Sequence, residues 1–147
     1  MWFVVCSFLT LNSICMATIT KFEDLEVWQL ARELSKEIYS LTFIEPIKSD
    51  YRLKDQMRGS SGSIMDNIAE GFERASKLEF INSLSYSKGE VGELKSQLHR
   101  CLDNNYISRE LFDDLYNRAD KLTKKITAFI TYLNSSKIRG QKFKNRD

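Results

Sequence analysis

The chain has 147 residues, 42% hydrophobic and 29% charged, which fits one soluble domain with a sizeable core. One proline and six glycines argue against a many-turned β architecture, and three cysteines without paired ligand spacing give neither a disulfide framework nor a zinc site. Net charge is +2, but residues 137–147 hold five basic side chains against one acidic, so that segment carries a +4 surplus and the remainder sits at −2.

The first fifteen residues, MWFVVCSFLTLNSIC, are mostly apolar and uncharged. They look like the hydrophobic part of a signal peptide, with Cys15-Met16-Ala17 as a passable cleavage site, but lack its charged leader. They are also too short and too polar around Asn12 to span a bilayer. Met16 opens an ordinary cytosolic start, MATITKFEDL, so a start assigned upstream of the biological one, a signal peptide and a genuine extension all stay open. The expected organisation is an apolar extension at 1–15, a helical body at 16–136, and a flexible basic tail at 137–147. A cytoplasmic protein without a membrane anchor is expected.

From Phe22 to Thr42, Val27 or Trp28, Ala31, Leu34, Ile38 and Leu41 recur at helical spacing. Thr20 precedes this segment, Glu23, Asp24 and Glu26 enrich its first turn, and Pro46 forces a break. A second stripe follows Ser49: Leu53, Met57, Ser60 or Ser61, Ile64, Ile68 and Phe72. Ser76 and Glu79 form a capping box for the third helix, in which each side chain satisfies the other's backbone donor. Its core face is Phe80, Leu84, Val91, Leu94, Leu98 and Cys101 or Leu102, and Asp103-Asn104-Asn105-Tyr106 ends it. Ser108 caps the fourth, in which Phe112, Leu115, Ala119, Leu122, Ile126, Phe129 and Leu133 recur near a coiled-coil spacing. Four helices of about 20–28 residues with short loops pack most simply as an all-α, antiparallel up-down-up-down bundle.

Little in this pattern supports catalysis. A carboxylate di-metal site needs Glu-x-x-His pairs, and the single histidine, His99, has Ser96 three residues before it. A nucleophilic centre would also rest on His99, on a helix flank without a pocket. Gly59-Ser60-Ser61-Gly62 lacks the Gly-Lys-Ser/Thr ending of a phosphate loop, and reads instead as small residues permitting close helix approach. No catalytic residue, metal or cofactor is predicted, and Cys101 reads as a buried reduced thiol.

Two polar lines run beside the apolar stripes. Gln56, Ser60, Ser63, Asn67, Glu70 and Arg74 flank the second, and Glu90, Glu93 and Gln97 flank the third. They are either solvated or meet as a hydrogen-bonded network, within the bundle or across subunits.

Three stretches carry a resemblance: FEDLEVWQLARELSKEIY at 22–39, LKDQMRGSSGSIMDNIAEGFER at 53–74, and FINSLSYSKGEVGELKSQL at 80–98. They resemble the 23S rRNA-intervening-sequence protein family, also called the four helix bundle protein family, over roughly Phe22 to Leu133. The motifs map onto Phe22, Leu25, Val27 and Trp28; onto Gln56, Arg58, Ser63, Ile64, Asn67, Ile68, Ala69, Glu70 and Gly71; and onto Gly89, Glu93, Leu94, Gln97 and Leu98. Gly59 stands where the family commonly has a second arginine, and Glu90 where a serine is usual, so any basic surface from an arginine pair is weaker here. The resemblance implies a bundle that assembles as a ring, typically a homopentamer. Some of its bacterial members are encoded within intervening sequences of 23S ribosomal RNA genes. It is similar to the accessory variability determinant proteins of diversity-generating retroelements, which bind a reverse transcriptase and nucleic acid. No enzymatic activity comes with it.

Two functions follow as expectations. In the first, a non-enzymatic assembly contacts ribosomal or other structured RNA through Arg58, Lys137, Arg139, Lys142, Lys144 and Arg146, with Phe143 stacking on a base. Repeating the tail around a ring would multiply weak contacts. In the second, the ring is a scaffold that docks a protein such as a polymerase or reverse transcriptase, using exposed aromatics such as Tyr86 or Tyr106. In both, Trp28, Gln56, Ser63, Asn67, Glu70, Gly71, Gly89, Glu93 and Gln97 serve structure or assembly.

Overall fold

The computed structural model describes residues 18–136 together with Phe3–Val4. Four helices account for nearly all of it: α1 (Glu26–Leu41), α2 (Tyr51–Glu73), α3 (Lys77–Asp103) and α4 (Arg109–Ser135). Single 3₁₀ turns at Phe22–Asp24 and Ile47–Ser49 precede α1 and α2. The one departure from an all-helical fold is a two-residue antiparallel pairing, β1 (Phe3–Val4) with β2 (Thr18–Ile19), within a segment whose sequence promised no strand.

The neighbours run antiparallel. Ser87 bonds to Ile64 O and Ser60 to Gln97 between α2 and α3; Lys95 meets Asp120, and Lys77 meets Ser136 O, between α3 and α4. Lys125–Glu26 and Arg118–Glu37 bring α4 back along α1, and Arg58–Thr42 ties α2 to the end of α1. This is the four-helix bundle that the periodicities predict.

The core is where the stripes placed it. Ala31, Ile38, Met57, Ile64, Ile68, Phe80, Leu84, Val91, Leu94, Leu98, Cys101, Ala119, Ile126 and Leu133 are fully buried. Each large side chain among them contributes about 1.5–3 kcal/mol through apolar burial. Val27 is buried and Trp28 only half-buried, Ser60 and Ser61 are both buried, and Cys101 takes the core position with Leu102 at its edge. Phe80 links two helices by edge-on contacts with Phe72 of α2 (6.0 Å) and Phe129 of α4 (5.4 Å).

Three boundaries differ from expectation. α1 starts at Glu26 rather than Phe22, because Phe22–Asp24 closes a 3₁₀ turn and Leu25 is extended, with no side-chain cap. α2 is capped by Asp50, whose carboxylate accepts from Leu53 N at 3.0 Å. Only half of the capping box of α3 forms: Ser76 Oγ accepts from Glu79 N at 3.5 Å, while the Glu79 carboxylate turns to Arg74 Nη1 at 3.3 Å. The other ends conform. Ser108 caps α4, and Asn105 adopts φ 57° after α3, where Tyr106 N reaches Cys101 O at 2.8 Å in a Schellman closure.

Candidate nucleic-acid and assembly surfaces

The polar residues along the α2/α3 seam divide into a buried set and an outward set. At the buried end Ser60 donates to Gln97 Oε1 at 2.7 Å, and Ser87 donates to Ile64 O at 2.8 Å. Further out, Arg100 Nη1 donates to Gln56 Oε1 at 2.9 Å. The two polar lines therefore meet inside the protomer at one pair, Ser60 and Gln97, while Gln56 is bonded to Arg100, outside the second line. Ser63 and Asn67 are half-buried, while Glu70 and Glu93 are exposed. Arg74 bridges Glu70 (Nε–Oε1 3.0 Å) and Glu79 at the end of α2. Glu90 lies half-buried on the same flank as Glu93; its burial and next the Glu93 charge hold its carboxyl above the ordinary glutamate range.

Gly71 has a strict steric role. A Cβ there would stand 2.5 Å from Ser83 Cβ and 3.0 Å from Phe80 Cδ2, so α2 and α3 approach this closely only because the residue is glycine. The other glycines behave differently. Nothing lies within 4 Å of where a Cβ would stand at Gly59, Gly62, Gly89 or Gly92. The expected packing role of Gly59-Ser60-Ser61-Gly62 thus belongs to the two buried serines and not to the flanking glycines, which face outward.

Trp28 packs edge-on against Phe22 at 5.1 Å, with the Arg32 guanidinium 5.6 Å from its ring, so it anchors the entry to α1. Gly89 lines a shallow groove of about 500 Å³ between α3 and α4, with Ser85, Lys88, Thr127, Ile130 and Thr131.

Arg58 sits at the corner where α1 hands over to α2. Its guanidinium lies 4.5 Å from the Tyr39 ring centre and 4.8 Å from that of Phe43, and its Nε donates to Thr42 Oγ1 at 2.8 Å. Thr42 is itself buried and donates to Tyr39 O at 2.6 Å. Thr42 is the only polar partner of this guanidinium among the described residues. The aromatic collar had no signature in the sequence beyond Tyr39 and Phe43 standing one helical turn apart. Lys137, Arg139, Lys142, Phe143, Lys144 and Arg146 lie outside the described residues.

Of the aromatics expected on the surface, Tyr86 is 70% exposed, but Tyr106 is half-buried and its hydroxyl bonds to Asp50 Oδ2 at 3.3 Å. The sequence misplaced Tyr106 because the Schellman closure folds it back over the start of α2. His99 is held between Phe112 (4.8 Å) and Tyr116 (5.4 Å). Among the described residues no three His, Cys, Asp or Glu side chains are grouped to hold a metal ion, and no helix is long and apolar enough to cross a membrane.

These features define a four-helix bundle with a buried polar seam and a surface arginine set in aromatic rings. The family described as 23S rRNA-intervening sequence protein matches residues 23–128, and the chain belongs to that family. A crystal structure of a protein with unknown function, from the S23 ribosomal protein family of Bacteroides thetaiotaomicron VPI-5482, shares the fold. It has a TM-score of 0.67 and 24% identity over 71% of this chain and 95% of that one. No curated protein matches.

Proposed function

We propose that this protein is a non-enzymatic, self-assembling helical bundle that associates with structured RNA. The observation that carries the reading is the separation of charge: a −2 body bearing a +4 segment at residues 137–147. A short basic segment of that kind binds phosphates by releasing counterions, and a ring of subunits would present several copies at once. The family's own description, which refers to 23S rRNA, points to the same class of partner.

Assembly is supported by the bare glycines. Gly59, Gly62, Gly89 and Gly92 occupy helix interiors, with open space where a Cβ would stand. Each costs about 1 kcal/mol relative to alanine. A surface left so flat suits the close approach of a second copy, and a homopentameric ring in the cytoplasm is the arrangement we propose. Native mass spectrometry of residues 16–147 tests it, and a monomeric mass refutes it.

Binding of structured ribosomal RNA across a salt series tests the RNA reading. A steep fall of log K with log salt, about 0.9 or less per phosphate contact, is expected, and removal of residues 137–147 should abolish it. If RNA binding is absent at low salt, a second reading takes over, in which the bundle docks a protein such as a polymerase. The exposed Leu78 (68%) and Tyr86 (70%) favour such a surface.

A further inference from the structure

We propose that the corner between α1 and α2 is a second nucleic-acid contact, a stacking site for unpaired nucleotides built from Tyr51, Lys54, Arg58, Tyr39 and Phe43. It rests on the RNA reading above but is separate from the basic tail. Tyr51, Lys54 and Arg58 follow one another at i, i+3 and i+7, and so share one flank of α2, with the ends of the stripe about 10 Å apart. Lys54 Nζ lies 4.5 Å from the Tyr51 ring centre and reaches Lys48 O at 3.4 Å. Arg58 joins this stripe to Tyr39 and Phe43 at the end of α1, which themselves meet edge-on at 5.2 Å.

Three physical facts select unpaired nucleic acid as the occupant. Tyr39, Phe43 and Tyr51 are 51%, 56% and 71% exposed, an expensive way to hold aromatic rings unless something flat covers them. Arg58 is pre-positioned by two rings and one hydrogen bond, leaving its Nη groups without a partner among the described residues; a planar fork so held suits a phosphate. Residues 48–58 carry four basic side chains against two acidic ones, while the rest of the body is acidic, and one of those carboxylates, Asp50, is engaged as the α2 cap. Rings plus cations on one strip are what a single strand needs, because every base offers a face to stack and every phosphate a charge. A duplex keeps its bases stacked internally and gains nothing from the rings.

The test uses the full chain, a labelled decamer of uridine and a blunt RNA duplex of equal length. Tyr51→Ala and Phe43→Ala remove exposed rings and leave the core intact. Each should weaken decamer binding roughly tenfold, and the pair about a hundredfold, with duplex binding unchanged within about twofold. Arg58→Lys keeps the charge but loses the fork, and should also weaken the decamer. Equal losses on decamer and duplex, or no loss with any variant while the chain still binds RNA, overturn the stacking site and leave the tail-based reading standing. Failure of the unaltered chain to bind either RNA overturns both. Unchanged decamer affinity with an altered native mass would reassign the patch to a subunit contact, and overturn it as a nucleotide site.

Discussion

Ser60 of α2 donates its hydroxyl to Oε1 of Gln97 of α3 at 2.7 Å, with both side chains buried. The pair is the one buried oxygen-to-oxygen side-chain bridge between these helices among the described residues. Truncating one partner strands the other, so Ser60→Ala should cost about 1–3 kcal/mol of unfolding free energy. Replacing both, with Ser60→Ala and Gln97→Leu, should recover part of that loss. A double-mutant cycle by urea denaturation measures the coupling, and additive losses would show the bond to be incidental.

Gly71 and Gly89 should respond in opposite ways to the same change. Gly71→Ala drives a methyl to 2.5 Å from Ser83 Cβ, and overpacking of this kind costs about 1–3 kcal/mol or more. Ser83→Gly in the same chain should relieve much of it. Gly89→Ala meets nothing within 4 Å, and within the protomer it should stabilise by up to about 1 kcal/mol. A weakened assembly in Gly89→Ala, seen as a shift in native mass with concentration, would place that face in a subunit contact.

Glu90 makes stability depend on pH in a defined direction. Burial, and then Glu93, raise its carboxyl above the ordinary range, so the folded state prefers the protonated form. A raised carboxyl costs stability while it is charged in the fold, and that cost disappears as pH falls through the raised value. Glu90→Gln should therefore raise Tm at neutral pH and have little effect below the ordinary glutamate range. Thermal melts of both forms at neutral and acidic pH check this, and an equal shift at the two would contradict it.

Cys101 should be inert in the native protein. Burial pushes its thiol up to about 11, and its Sγ lies 3.7 Å from Met57 Sδ inside the core. In a chain carrying Cys6→Ser and Cys15→Ser, labelling by a thiol reagent near pH 8 should follow global unfolding, accelerating only with denaturant. Fast labelling without denaturant would mean that the end of α3 opens locally.

The helices were legible because each stripe obeys a local rule. Leu34, Ile38 and Leu41, or Phe112, Leu115 and Ala119, recur at a period that only a helix converts into one face, and the serine caps Ser76 and Ser108 at the starts of α3 and α4 mark chain entry. Boundaries were less legible where two local options compete, as at Phe22–Asp24, where acidic residues suit a first helical turn but the chain closes a 3₁₀ turn instead. Glu79 was misread for a related reason. A cap partner and an ion-pair partner were both within reach, and Arg74 won.

Sequence alone determined the helical class, the number of helices, the apolar faces and the family, since these rest on spacing and on residue identities along the chain. Only the tertiary structure decided which polar residues are buried together, which glycine is sterically obligatory, and that Arg58 lies among Tyr39, Phe43 and Thr42. Those relationships join residues 9 to 37 positions apart, set by how two helices cross, and no local pattern encodes that rotation.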